Sequence, residues 1–103
     1  MSRIVIALGG NALQANPKDT TAEAQLVTAG QTSETIVDLI EEGHEIIVAH
    51  GNGPQVGQIV ATYEASASIN ENSPVMPFPE CGAMSQGYIG YHLQQSIRAV
   101  MRR

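Results

Sequence analysis

Two short apolar runs, each followed by glycine and asparagine, dominate the hydrophobic pattern of this chain. Residues 3–8 read Arg-Ile-Val-Ile-Ala-Leu, and residues 45–49 read Glu-Ile-Ile-Val-Ala. Apolar runs of this length without polar alternation are typical of strands that are buried on both faces. The pattern therefore predicts two central strands of an α/β sheet.

A helical pattern separates these two strands. Apolar residues recur at helical spacing between positions 26 and 40. Thr20 and Glu23 have the spacing of an N-terminal capping box, and Gly43 stands where a helix should end. A strand, a helix and a second strand in this order predict a parallel pair with a right-handed crossover.

Two more helices are predicted after the second strand. Gly53-Pro54 indicates a helix start, because proline is favoured at the first helical position, and this helix should reach about residue 67. Three prolines predict a loop over 68–80, and a third helix is predicted over 82–101. That last helix carries two apolar faces, which are Ile89, Leu93, Ile97 and Val100 on one side and Met84, Tyr88 and Tyr91 on the other.

These elements are too few for a complete open α/β domain. A two-stranded sheet is only marginally stable by itself, and the sequence ends on Arg103 without a helix-ending glycine or proline. We therefore expect residues 1–103 to be the N-terminal part of a larger domain, although a short complete domain with a frayed end is an alternative. The second apolar face of the last helix, with Val75, Met76 and Phe78 nearby, predicts an interface and most simply a homodimer.

Composition narrows the classes of partner. The chain has a net charge of -5 and one lysine, Lys18, which argues against binding to nucleic acid or to an anionic membrane. Its one cysteine, Cys81, excludes an internal disulfide and fits a reducing compartment. No targeting or membrane-spanning segment is visible, so we expect a cytoplasmic protein.

Candidate chemistry lies in the two loops that follow the strands. These loops are residues 8–12, Leu-Gly-Gly-Asn-Ala, and residues 50–57, His-Gly-Asn-Gly-Pro-Gln-Val-Gly. In a parallel sheet both loops leave the same edge, where ligands of open α/β sheets bind. Glycine lets backbone N–H groups approach an anion, the helix at Gly53 adds its positive end, and Asn11 and Asn52 add amide donors. The pattern predicts a site for a small oxyanion, either a phosphoryl group or a carboxylate.

Other interpretations of the same residues are weaker. The sequence has no P-loop, and the spacing of Gly51, Gly53 and Gly57 is only a loosened dinucleotide fingerprint without its acidic partner. A half-domain for a nucleotide cofactor nevertheless stays open. No cluster of metal ligands is visible. We interpret His50 and Cys81 as structural residues and His92 as a solvated helix residue.

The amino-acid sequences of the loops resemble those of the carbamate kinases of the amino-acid kinase family. The matching segments are Ala-Leu-Gly-Gly-Asn-Ala-Leu at 7–13, the loop at 50–57, and Ser-Gln-Gly-Tyr-Ile-Gly-Tyr at 85–91. Other branches of the family carry lysine at the position of Ala7 and tend to have a third glycine at the position of Asn52. Both differences favour the carbamate branch.

The resemblance implies a three-layer α/β/α fold with parallel strands, of which residues 1–103 are the substrate-binding part. It implies the reversible reaction of ATP and carbamate to ADP and carbamoyl phosphate with Mg²⁺, as part of arginine metabolism, in a homodimer. By resemblance, the first loop lines the phosphoryl site with Gly9, Gly10 and Asn11, and the second loop holds the carbamate end with Gly51, Asn52 and Gly53. Among these, Gly10, Asn11 and Asn52 are the candidate catalytic residues.

The chain departs from the family in length. The family's catalytic lysines, its acidic residue and its nucleotide-binding lobe come later in the chain, and Lys18 matches none of them. The expectation is therefore that ATP or ADP with Mg²⁺ is bound mainly by residues that this chain lacks. An alternative function follows, in which the chain is a catalytically inactive module for anion binding or dimerisation.

Overall fold

The computed structural model describes residues 1–103 as two strands and four helices. In chain order they are β1 (Arg3–Leu8), α1 (Gly10–Leu13), α2 (Ala22–Glu41), β2 (Glu45–His50), α3 (Gly53–Ile69) and α4 (Phe78–Met101). Both strands and the three longer helices were predicted. The short helix α1 was not, because its four residues lie in what the sequence presents as a turn.

The two strands form a parallel pair, as predicted. The register pairs Arg3 with Glu45 at one end and Leu8 with His50 at the other. Since α2 connects the carboxyl end of β1 to the amino end of β2, both strands finish at the same edge of the sheet. The two glycine loops therefore begin at paired positions along the strand direction.

Only one face of this sheet is covered by helices. Ile6, Ile46 and Val48 pack against the buried core, whereas Val5 and Ile47 on the opposite face remain 63% and 51% exposed. The prediction of burial on both faces is thus wrong for this chain. Apolar residues on both sides of a strand indicate two covering layers, and the helices of residues 1–103 provide one of them.

The core lies between the sheet, α2 and α4. Ala29 and Ile36 of α2 meet Ile89 and Leu93 of α4, and all four are 5% exposed or less. This arrangement confirms the first apolar face predicted for the last helix. Truncating such a residue to alanine costs roughly 2–5 kcal/mol, so these contacts hold α4 in place. On the other predicted face of α4, Met84 and Tyr91 are exposed, but the prediction is wrong for Tyr88, which packs against the core.

Cap residues explain where α2 begins and ends. The N-cap is Thr21, whose hydroxyl oxygen accepts a hydrogen bond from the Ala24 N–H at 3.2 Å. The predicted Thr20–Glu23 box is therefore displaced by one residue, because Asp19 binds both the N–H and the hydroxyl of Thr21 and fixes it as the cap. Gly43 follows the helix with φ of 92°, a conformation that favours glycine, and this confirms the predicted stop.

The proline-rich loop is shorter than predicted. Helix α3 continues to Ile69 and α4 begins at Phe78, so the connection covers 70–77 rather than 68–80. Pro79 lies in the first turn of α4, where its missing N–H has no intrahelical acceptor to lose. None of the helices combines the length and apolar character that crossing a membrane requires.

His92 is a polar residue within the contact between α2 and α4. It is 9% exposed, which contradicts its interpretation as a solvated residue. Its ring meets the Tyr88 ring edge-on at a centroid distance of 5.5 Å, and the Tyr88 hydroxyl donates to Gln25 Oε1 at 3.0 Å. Burial lowers the pKa of His92, because the imidazolium would lose hydration there.

We expect His92 to make the folded chain acid-sensitive. Because its folded pKa is below the unfolded value of about 6.5, the unfolded state binds the proton first as the pH falls. The free energy of unfolding should be constant with respect to this group above that value and decrease below it. Urea unfolding at pH 5 and pH 7.5 measures the loss, and His92→Gln should reduce it. An equal loss in the variant would assign the acid sensitivity to other groups.

Candidate functional site

The two glycine loops lie side by side at the carboxyl edge of the sheet. The Gly51 N–H donates to the Leu8 carbonyl oxygen at 3.2 Å, which extends the strand pairing into the second loop. A side-chain carbon added at Gly10 would lie 3.8 Å from Pro54 Cγ. The loops are therefore in direct contact at one edge of the sheet, as the parallel topology predicted.

Each loop leads into a helix N-terminus at this edge. Gly10 is the first residue of α1, and Gly53 is the first residue of α3. The first N–H groups of a helix have no intrahelical partner and carry partial positive charge. Helix α3 has 17 residues and a developed dipole, whereas α1 has four. Sequence reasoning missed α1, whose turn is closed by hydrogen bonds from the Ala12 N–H to the Gly9 carbonyl oxygen and from the Gln14 N–H to the Gly10 carbonyl oxygen.

The two candidate asparagines differ in how they are held. Asn11 is exposed in α1, and its side chain makes no hydrogen bond within the chain. Asn52 is half-buried, and its Nδ2 donates to Ser85 Oγ of α4 at 2.8 Å. The Ser85 hydroxyl in turn donates to the Gly82 carbonyl at 2.8 Å. Asn11 is thus free to meet a ligand, while one amide proton of Asn52 is already committed.

His50 and Cys81 have structural surroundings, in line with their interpretation from the sequence. Nδ1 of His50 lies 2.9 Å from the carbonyl oxygen of the adjacent Gly51, which assigns the proton to that nitrogen. Cys81 is fully buried in α4. Neither side chain is arranged with an acid, base or nucleophile partner.

Positive charge at this edge comes from the backbone. Arg3 lies at the opposite end of β1, where it pairs with Glu45 at 2.8 Å. Arg98 is 13 residues beyond Ser85 along α4, or roughly 20 Å at 1.5 Å per residue, and Arg103 pairs with Glu34. No group of three His, Cys, Asp or Glu side chains is close enough to hold a metal ion. The helix N-termini are therefore electropositive groups that lie directly at the glycine loops.

The largest cavity lies elsewhere. It is an open groove of about 680 Å³ between α2 and α4, bordered by Leu26, Gly30, Ala99 and Val100 among others. The glycine loops border no enclosed cavity of comparable size. The candidate site is thus an open edge of the sheet rather than a closed pocket.

Gln55 is an unusual polar residue beside the loops. It lies in the first turn of α3 and is 1% exposed, yet neither Oε1 nor Nε2 has a hydrogen-bond partner. Gln25 provides a contrast, because it is also buried but donates to the Thr20 carbonyl and accepts from Tyr88. Leaving a buried amide unpaired costs free energy.

Comparisons with known proteins find relatives along nearly the whole chain. The amino acid kinase family matches residues 2–100. A carbamate kinase of Clostridium perfringens is 56% identical over 96 residues, which are 93% of this chain and 31% of that protein. Carbamate kinase 3 of Staphylococcus aureus is 51% identical over 98 residues, which are 95% of this chain and 30% of that protein.

A solved structure shares the arrangement of helices and strands. Carbamate kinase from Giardia lamblia bound to AMP-PNP superposes with a TM-score of 0.85 at 36% identity, covering 96% of this chain and 30% of that one. The chain therefore spans about 30% of the length of the relatives that it matches.

The unpaired amide of Gln55 leads to a test by substitution. We expect Gln55→Met to raise the free energy of unfolding by about 1–2 kcal/mol, because it removes two unpaired polar ends at similar volume. Gln25→Met is the matched control and should destabilise, since it leaves the Tyr88 hydroxyl without its acceptor. Urea unfolding compares both variants with the parent chain. Destabilisation by Gln55→Met would show that the amide has a partner in solution.

Proposed function

This chain belongs to the amino acid kinase family, as its loops predicted, and we propose that it supplies the carbamate- and phosphoryl-binding loops of a carbamate kinase. The reaction would be ATP and carbamate to ADP and carbamoyl phosphate, in either direction. The observation that carries this proposal is the contact between the two glycine loops, each of which leads into a helix N-terminus at one edge of the sheet.

The two loops divide the substrate between them in this proposal. Gly9, Gly10 and Asn11 line the position of the transferred phosphoryl group, and the second loop, 51–53, holds the carbamate end. Phosphoryl transfer depends mainly on positioning and on stabilising charge. Backbone N–H groups that are already oriented stabilise such charge without reorganisation. The exposed amide of Asn11 adds a donor that has no competing partner in the chain.

No general base is needed for the proposed transfer. The attacking oxygen of carbamate is already ionised, so no proton must be removed before it reaches phosphorus. The position of His50, whose Nδ1 is committed to the Gly51 carbonyl, supports this reading. The loops therefore contribute orientation and electrostatics, and Asn52 and Asn11 are the side chains that we propose to act there.

Nucleotide binding would rest mainly on residues outside 1–103. One relative of similar fold binds AMP-PNP, which supports the use of ATP or ADP. Residues 1–103 contain no group of three His, Cys, Asp or Glu side chains that could hold a metal ion. The chain also brings no lysine or arginine into hydrogen-bond contact with either loop. We therefore assign residues 1–103 to binding of the phosphoryl acceptor.

A second candidate is a non-catalytic module that binds an anion or another copy of the chain. The exposed apolar face of α4, with Met84 and Tyr91, favours it. Phe78 at the start of α4 and Val75 in the preceding loop are further exposed apolar residues. A homodimer through α4 is compatible with either function, so the oligomeric state does not separate them. Ligand binding and turnover do.

We expect Gly53→Ala to reduce binding of carbamoyl phosphate without damaging the fold. A side-chain carbon at Gly53 meets no atom within 4 Å, so the folded chain should accept it. At the proposed site it would keep an anion from the N–H groups, and the dissociation constant should rise at least about tenfold. Gly57→Ala, one turn further along α3 and equally open, is the control. Isothermal titration measures both, and equal affinities would contradict the assigned site.

We also expect the 103-residue chain to bind carbamoyl phosphate without transferring its phosphoryl group to ADP. The loops place donors around the anion, but they bring no cation to the developing charge. A coupled assay for ATP tests this, with the Gly53→Ala chain as the control for contaminating kinases. Turnover by the parent chain that is lost in the variant would show that residues 1–103 suffice for catalysis.

A further inference from the structure

Ser85 is joined to the candidate site by a short chain of hydrogen bonds. It is 0% exposed in α4, and its Oγ lies 2.8 Å from Asn52 Nδ2 and 2.8 Å from the Gly82 carbonyl oxygen. A carbonyl oxygen can only accept, so the one hydroxyl proton of Ser85 is committed to Gly82. Ser85 therefore offers Asn52 a lone pair and nothing else.

This constraint determines which way the Asn52 amide is turned. Only the NH₂ group of Asn52 can donate to a lone pair, so the side chain must direct Nδ2 toward Ser85 and Oδ1 away from it. Oδ1 has no hydrogen-bond partner in the chain and is not enclosed, because the enclosed side-chain atoms without partners are those of Gln55. The loop thus keeps an open hydrogen-bond acceptor.

The loop around Asn52 has no other side chain that could hold it. Asn52 stands between Gly51 and Gly53, and its hydrogen bond to Ser85 spans 33 residues of sequence. The side chain does not cap α3, so Ser85 is its only hydrogen-bond partner. This contact therefore joins the Asn52 side chain directly to α4.

We propose that Ser85 is a positioning residue that orients Asn52 as an acceptor for an N–H group of the substrate. The inference rests on the proposed function and refines it, since Asn52 was expected from the sequence to act as a donor toward an oxyanion. Carbamate and carbamoyl phosphate carry an NH₂ group, whereas acetyl phosphate has a methyl group in its place. The orientation imposed by Ser85 makes the loop selective for ligands that carry this NH₂ group.

The test compares three ligands on the 103-residue chain. Carbamoyl phosphate carries the NH₂ group, acetyl phosphate lacks it, and inorganic phosphate reports the anion site alone. The parent chain should prefer carbamoyl phosphate over acetyl phosphate by at least about tenfold, because a group that hydrogen-bonds a substrate N–H discriminates against analogues without it. Ser85→Ala should reduce this preference at least about threefold and leave the affinity for inorganic phosphate unchanged.

Two controls separate orientation from a general loss of structure. Ser33→Ala removes another fully buried serine that donates to a helix carbonyl, at 2.8 Å from Ala29, and should leave the preference intact. In an Asn52→Ala background, Ser85→Ala should change the preference no further, because Ser85 acts through Asn52. Equal weakening of all three ligands by Ser85→Ala, or an unchanged preference in the folded variant, would overturn the proposal.

A spectroscopic readout keeps the inference testable if the proposed function fails. Should the parent chain bind none of the three ligands, the assigned site is wrong, but the contact between Ser85 and Asn52 can still be observed. The side-chain amide protons of Asn52 in ¹H–¹⁵N spectra should shift in Ser85→Ala and stay in place in Ser33→Ala. An Asn52 signal that is unaffected by Ser85→Ala would refute the positioning role.

Discussion

The parallel pairing of β1 with β2 is the constraint on which the rest of this structure depends. Its register pairs Leu8 with His50, so both strands end at the same edge of the sheet and at paired positions. The bond from the Gly51 N–H to the Leu8 carbonyl continues that register beyond the strands. Two glycine loops that are more than 40 residues apart in sequence therefore meet. An antiparallel pair would have sent them to opposite ends of the sheet.

Helix α4 is the second support of the site. Ile89 and Leu93 anchor it to α2 by apolar packing, and Ser85, one turn before Ile89, reaches the loop through Asn52. Two kinds of contact on one helix therefore have different roles. Apolar contacts fix the position of the axis, and a fully buried hydroxyl converts that position into the orientation of a single amide. A polar contact alone would be too weak to hold the helix.

The electrostatics of the site follow from the positions of the arginines, which lie away from the glycine loops. The chain's arginines lie at the amino end of β1 and near the carboxyl end of α4, and Arg3 and Arg103 form ion pairs there, so the helix dipoles are the electropositive groups that the loops themselves provide. Such dipoles can orient an anion, but neutralising the charge that develops during transfer calls for cations. The proposed binding role and the proposed lack of turnover therefore have one physical origin.

The sequence by itself determined the strands, the three longer helices, the parallel crossover and the family, because apolar periodicity, Gly43 and the loop motifs are local signals. It also placed both loops at one edge, although the roles of Gly10, Asn11 and Asn52 there stay predictions. The tertiary structure decided what depends on contacts between distant segments. These are the open face at Val5 and Ile47, the burial of His92 and the orientation of Asn52. The spacing of residues along the chain cannot reveal these features, because each depends on which distant segment packs beside the residue. For Asn52 that segment contains Ser85, which is 33 residues away.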